Sequence, residues 1–422
     1  MATVSPAVLA SRLRQSRESV GLTQSQVEEQ LPLPRNARAQ SEAGERQVRS
    51  TELHALAQLY GREMAEFFQP EFDSNSPLLA LFREQLGAEL QPALLQTAGR
   101  FLELGRRLDR LERDLRFARH PSAPVAREAA AEPRGIMDAV RQGEALADRE
   151  RGRLGLGTQP VADLAELLET QGVRTLAAEL PEGVDGMTLH APEISPFVVV
   201  GAGGVIGRRR FSLAHEYAHV LLDRARGWMV SRRENQKDLR EVRANAFASS
   251  FLMPAAGVEE FMHGLGKPRR RNTSAVYEGD GLRSVRNTEP GEISEVQAFD
   301  VVQLAAYFQV SREAALFRLA NLDFVKPGDR DGLQNQVRER GAELARLMGV
   351  REEVDGQESM AASRHRLFGL LLEALRREEV SRRWALESIR MAGFEAEDFE
   401  QAIEAAGLQD PPADVLLPEG LL

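Results

Sequence analysis

The chain has 422 residues, enough for two or three domains, with 42% hydrophobic residues and a formal net charge of −10. That charge argues against broad, non-specific nucleic-acid affinity, and the absence of cysteine excludes disulfides and thiolate metal sites. No apolar run opens the sequence and none reaches the length of a membrane span, so a cytoplasmic protein without membrane contact is expected.

Residues 1–68 place apolar side chains at helical spacing: Val8, Leu9 and Leu13, then Leu22, Val27 and Leu31, then Leu53, Leu56, Ala57, Leu59 and Tyr60. Thr23 is a candidate N-cap. Gln24 and Glu42 stand 18 apart and Ala43-Gly-Glu-Arg46 follows. In these features the segment resembles an XRE-type (Cro/cI-like) helix-turn-helix domain. The resemblance implies a recognition helix from Pro34 to Ser41 in the major groove, with Gln24, Arg35, Asn36 and Gln40 as candidate DNA contacts. Arg38 and Ser41 depart from the family by replacing packed apolar residues, and Leu-Pro-Leu-Pro34 replaces its tight turn. The segment also balances eight Arg against eight Glu, where a DNA reader usually shows a basic face. A helix-turn-helix kept for protein contacts is the competing reading.

Residues 69–120 read as a helical connector. Phe101, Leu102, Leu104, Leu108, Leu111 and Leu115 recur every three or four positions with Arg and Glu between them. An exposed arm, or a helix pairing two copies into a homodimer, is expected. His120-Pro-Ser-Ala-Pro124 punctuates its end.

Further on, Gly186 to Ala191 and Phe197 to Gly201 read as strands, the second nearly all apolar and therefore buried. The first is a candidate exposed sheet edge to which a substrate strand could add. His190 within it reads as a surface residue, with a role in the cleft as the alternative.

Next comes Phe211-Ser-Leu-Ala-His-Glu-Tyr-Ala-His219. On a helix His215 and His219 lie one turn apart on one face, where both imidazoles can bind a single Zn²⁺. Glu216 between them can hold an activated water in place of the metal. With 7 His and 64 acidic residues in 422, chance supplies roughly 0.02 copies of this pattern. Ala214 and Ala218 allow close packing.

Leu239 to Pro254 reads as a second helix. Its Glu241 is the candidate third ligand, with Glu234 and Glu259 as the acids next in line. Asn245, one turn on, is a candidate partner for a ligating side chain. Two His and one carboxylate leave a fourth position open for water, the catalytic arrangement.

These two segments together resemble the ImmA/IrrE family of bacterial zinc metallopeptidases. The likeness extends upstream through Ala162 to Glu169 and Gly183 to Leu189, and spans 137–325. It implies one zinc ion per chain on His215, His219 and Glu241, with Glu216 as general base. It also implies a helix-turn-helix repressor protein as substrate, whose cleavage releases stress, DNA-damage or mobile-element genes.

Residues 264–296 are polar, rich in Gly and charge, and without periodicity, so a mobile surface insertion is expected. Phe299 to Leu322 reads as helix, turn at Gln309-Val310-Ser311, helix. In the family such a segment packs on the catalytic domain, and that is preferred here to DNA contact. Residues 330–422 read as an amphipathic helical segment with its own small core, and the tail from Asp410 as loose.

The expected fold is mostly α: an N-terminal helix-turn-helix bundle, a helical arm, an α+β zincin-like metallopeptidase domain, and a C-terminal helical segment. The expected activity is metal-assisted peptide hydrolysis. Competing readings are a DNA-binding transcriptional regulator whose peptidase-like domain senses metal or a partner without hydrolysis, and an antitoxin-like binding module.

Overall fold

Four short strands form the centre of the structure, and nearly every residue in them is buried. They are β1 (Arg174–Ala178), β2 (Val184–Leu189), β3 (Phe197–Gly201) and β4 (Trp228–Arg232), in the order β1-β3-β2-β4. β1 runs parallel to β3, and β2 runs antiparallel to both β3 and β4. Side chains alternate between the two faces of a strand, so each face of the sheet needs its own apolar cover. A computed structural model of the chain describes residues 4–19, 22–25, 27, 31, 37–60, 62, 64–69, 72, 92–116, 131–190, 194–203, 205–224, 228–232, 237–267, 274–278, 281–285, 295–350 and 357–408.

In chain order the helices are α1 (Pro6–Ser19), α2 (Ala37–Glu42), α3 (Ser50–Leu59), α4 (Pro92–Asp114), α5 (Ile136–Leu154) and α6 (Leu164–Thr170) before β1. Between β3 and β4 lies α7 (Ile206–Leu222), and after β4 come α8 (Leu239–Leu252) and α9 (Ala255–Gly264). A hairpin of β5 (Ser274–Glu278) and β6 (Gly281–Val285) precedes α10 (Ala298–Phe308), α11 (Arg312–Asn321) and α12 (Arg330–Leu347). The last helices are α13 (Gln357–Arg376), α14 (Arg382–Ala392) and α15 (Ala396–Ala405). The fold is thus mostly α with a small mixed sheet, as expected.

One face of the sheet, through Ala177, Val198 and Val200, shares a core with Leu213, Ala214 and Val220 of α7 and with the helices around it. The opposite face presents Leu176, Met187, Leu189, Phe197, Val199, Trp228 and Val230 to a second core. That second core contains the stripe of α4, the C-terminal helices and the N-terminal bundle together. Phe101 of α4 meets Phe197 edge to face at 6.3 Å.

Four expectations change here. The connector stripe is not an exposed arm or a dimer face, because Phe101, Leu102, Leu104, Leu108 and Leu111 are all buried within the chain. The C-terminal segment has no core of its own: Leu371, Ile389 and Phe399 join the sheet's rear face. β2 is not an edge, since β4 covers its free side. The 264–296 segment, which lacks periodicity in the sequence, holds the β5–β6 hairpin.

Polar groups fix the second core to the sheet. Arg174 at the start of β1 donates to Asp109 and Glu112 of α4, both at 2.6 Å. Asp109 also accepts from Ser195 at the entry to β3, and Arg366 of α13 reaches Glu112 and Glu169. Helices α10 and α11 meet at Gln309, which sits in the left-handed region at φ 54°, and Ser311 caps α11. Val301, Leu304, Phe308, Leu316 and Leu319 bury this helix-turn-helix-like pair in the α7 core.

Candidate metal centre

α7 begins after Val205 and packs its length on the sheet, so every residue from Leu213 to Leu221 is buried. Tyr217 points the other way and donates to Glu150 of α5 at 2.5 Å. α8 is started by Asp238, whose carboxylate accepts the Arg240 N–H at 2.8 Å. It lies alongside α7 and α5. The close approach of α5 depends on Gly143, where a Cβ would stand 2.3 Å from the Arg243 carbonyl oxygen and 2.8 Å from the Phe247 nitrogen.

The consequence is a convergence of three side chains. His215 Nε2 lies 3.2 Å from His219 Nε2 and 3.1 Å from Glu241 Oε2, and His219 Nε2 lies 3.4 Å from Glu241 Oε1. A tetrahedral ion with bonds of about 2.0–2.1 Å holds its ligand atoms about 3.3–3.4 Å apart. The spacing matches. Among the described residues this is the one group of three His or acidic side chains arranged to hold a metal ion. Glu259, a half-buried residue of α9, is outside it, and Glu234 lies outside the described residues.

Each imidazole is held from behind. His215 Nδ1 meets Asn245 Oδ1 at 2.9 Å. His219 Nδ1 meets Asp223 Oδ2 at 2.8 Å, and the other oxygen of Asp223 accepts from Arg243 at 3.0 Å. Both acceptors fix the proton on Nδ1 and turn the Nε2 lone pair towards the shared point.

Glu216 is fully buried beside this cluster, facing β2. Thr188 donates to its Oε2 at 2.6 Å and the Ser231 hydroxyl of β4 also stabilises the charged carboxylate, while among the described residues no donor stands in hydrogen-bond geometry to Oε1. Gly186 leaves the room it needs, since a Cβ there would stand 2.5 Å from Oε1. Burial raises the carboxyl pKa, against the pull of His219 and His215. Glu216, Glu241 and Asp223 bring three buried carboxyl groups to the cluster against the single buried guanidinium of Arg243. Buried carboxylates favour a cation at the point they share, whether a proton on His219 or a metal ion. In the same sense, burial disfavours charge on His219, yet bonds from Asp223 and Glu241 carry its pKa up to about 10. Glu241, despite burial, is drawn down to about 2 by its bonds to both histidines. The donor set and its spacing fit zinc.

His190 does not lie on the surface. It is buried just beyond β2 on the α7 side, and burial with Arg224 nearby brings its pKa down to about 3, keeping it neutral. Sequence reasoning missed Asp223, Arg243, Thr188 and Gly186. Asp223 had a signal, because it continues the four-residue spacing of His215 and His219. Thr188 and Gly186 had none, since only strand packing brings them to Glu216.

At the other end of the chain, Gln24 donates to Glu42 at 3.0 Å, and Glu42 pairs with buried Arg17 at 2.8 Å. Gln24 therefore helps join the helices of the bundle. Gln40 is exposed on α2, Ser41 behind it is buried, and Arg35 and Asn36 lie outside the described residues. His54 of α3 meets Glu387 of α14 at 2.6 Å, and Arg106 of α4 approaches Glu66 at 3.6 Å, so the bundle sits on α4 and α14. No helix among the described residues is long and apolar enough to cross a membrane.

Comparison with known families matches residues 168–320 to the IrrE N-terminal-like domain and residues 8–67 to a helix-turn-helix domain. The chain therefore joins a metallopeptidase-like domain to a helix-turn-helix domain. No curated protein and no solved structure matches it. Helix α5, which supplies Gly143 and Glu150, precedes the matched span.

Proposed function

We propose that this pairing of an IrrE N-terminal-like domain with a helix-turn-helix domain makes the chain a zinc-dependent endopeptidase of the ImmA/IrrE type. Its substrate would be a helix-turn-helix repressor, whose cleavage releases stress, DNA-damage or mobile-element genes. The observation that carries the reading is the convergence of His215, His219 and Glu241 beside the buried carboxyl of Glu216.

His215, His219 and Glu241 would hold one Zn²⁺. When bound, the ion supplies Lewis-acid activation of a water molecule and of the scissile carbonyl. The protein's own groups do the rest. Thr188 holds Glu216 Oε2, leaving Oε1 to take the proton of the attacking water. The raised carboxyl pKa favours keeping that proton until the leaving nitrogen receives it. Asn245 and Asp223 keep both imidazoles turned inward throughout.

A second reading follows from the helix-turn-helix domain: a DNA-binding regulator whose peptidase-like domain senses metal or a partner without hydrolysis. One experiment separates the two. The purified protein with zinc is incubated with helix-turn-helix repressors encoded nearby, beside Glu216→Gln. Cleavage by the parent, slowed about 10²–10⁴-fold in a variant that keeps its zinc, is expected of the peptidase. Equal cleavage by both would end the mechanism drawn here, and no cleavage by either favours the regulator.

A further inference from the structure

Asp223 and Arg243 are both buried, at 7% and 2% exposure, and neither belongs to the ligand set or the proton path. Burying a carboxylate and a guanidinium is costly unless their geometry offsets the lost hydration. Here they form a directed chain. Gln142 of α5 accepts from Arg243 Nη1 at 3.3 Å, Arg243 Nη2 donates to Asp223 Oδ1 at 3.0 Å, and Asp223 Oδ2 meets His219 Nδ1 at 2.8 Å. The Asp223 N–H also bonds the His219 carbonyl oxygen at 2.8 Å and closes α7. Its side chain is thereby fixed at both backbone and carboxylate.

The two histidines are supported differently. A neutral amide, Asn245, holds His215, whereas an ion pair holds His219. A carboxylate behind an imidazole raises its basicity as a ligand and fixes its tautomer. Arg243 arrives from α8, the helix that also carries Glu241. The chain therefore joins the histidine helix to the glutamate helix at a second point, outside the ligands themselves.

We infer that Asp223 and Arg243 are positioning residues of the metal centre, Asp223 orienting His219 and Arg243 acting through Asp223 to lock α8 against α7. This rests on the metal reading proposed above. A purely structural ion pair would stabilise the fold and leave zinc affinity alone. A positioning pair changes zinc affinity, and does so non-additively.

The test is competition of the full chain with a chromophoric chelator for zinc, together with thermal unfolding of the metal-free proteins. Asp223→Ala should weaken zinc affinity about 10–100-fold, and Asp223→Asn, which still accepts from Nδ1, by less. Arg243→Met should weaken it by a smaller factor. The double variant Asp223→Ala/Arg243→Met should be no weaker than Asp223→Ala alone, because Arg243 acts through the residue already removed. The double variant also avoids stranding a buried Arg243, so it remains measurable if Asp223→Ala does not fold. Leu319→Ala, in the same core but away from the cluster, should lower stability and keep the parental zinc affinity. A parent that binds no zinc sinks the metal reading itself. A tight-binding parent matched in affinity by the Asp223 and Arg243 variants, or additive losses in the double variant, overturns this inference alone.

Discussion

Each group at the centre has identifiable neighbours, and that makes single substitutions informative. Replacing His215, His219 or Glu241 by Ala should abolish stoichiometric zinc, read by mass spectrometry, because a three-ligand site missing one member rarely holds zinc tightly. Asn245→Ala should weaken binding only about 10–100-fold. Zinc should raise the melting temperature of the parent, since a ligand at a thousand times its dissociation constant adds about 4 kcal/mol to stability. That rise should vanish in Glu241→Ala. If Glu241→Ala binds like the parent, another acid completes the site, with Glu234 or Glu259 next in line.

Helices and strands bring these groups together through two glycines that act differently. At Gly143 the obstacle to a side chain is backbone, the Arg243 carbonyl and the Phe247 amide, so α8 must move away from α5. Gly143→Ala should cost about 1–3 kcal/mol by overpacking and loosen zinc, since Glu241 rides on α8. At Gly186 the obstacle is the buried Glu216 side chain, with Oε1 2.5 Å and Cδ and Cγ 3.0 Å from where a Cβ would stand. Gly186→Ala should therefore also cost stability by overpacking, but keep zinc while cleavage falls, because it displaces the base and leaves α8 in place. Calorimetry and metal analysis of the two variants distinguish these outcomes. Loss of zinc in Gly186→Ala would contradict the packing described.

At the scale of the whole molecule, the sheet is covered on one side by the helices that build the metal centre. The connector, the C-terminal helices and the N-terminal bundle cover the other. β2 belongs to both sides: Gly186 and Thr188 face Glu216, while Met187 and Leu189 face the second core. Phe101→Ala in α4 should cost about 3–5 kcal/mol although it lies in what reads as a linker. Deleting residues 1–68 uncovers apolar surface on α4 and removes the His54–Glu387 contact to α14. The truncated chain should melt lower than the parent while keeping one zinc per chain, because all three ligands lie on α7 and α8. Unchanged melting after the deletion would show that the bundle contributes nothing to the shared core.

The placing of the two histidines on one helix face was legible in the sequence alone. The His-Glu-x-x-His spacing is local, and a helix of fixed pitch converts it directly into two imidazoles on one face. The same pitch placed Asn245 one turn from Glu241. The mostly α fold was also legible, because long amphipathic stretches declare themselves through period. The partners of each apolar stripe were not legible. A stripe such as that of α4 encodes burial but not the surface it is buried against, so an arm, a dimer helix and an internal cover read alike. Pairing is equally non-local: only the folded sheet showed that β4 closes the free side of β2. For the same reason the Asp223–Arg243 pair and the Thr188 bond to Glu216 emerge only when α8 and β2 are set beside α7.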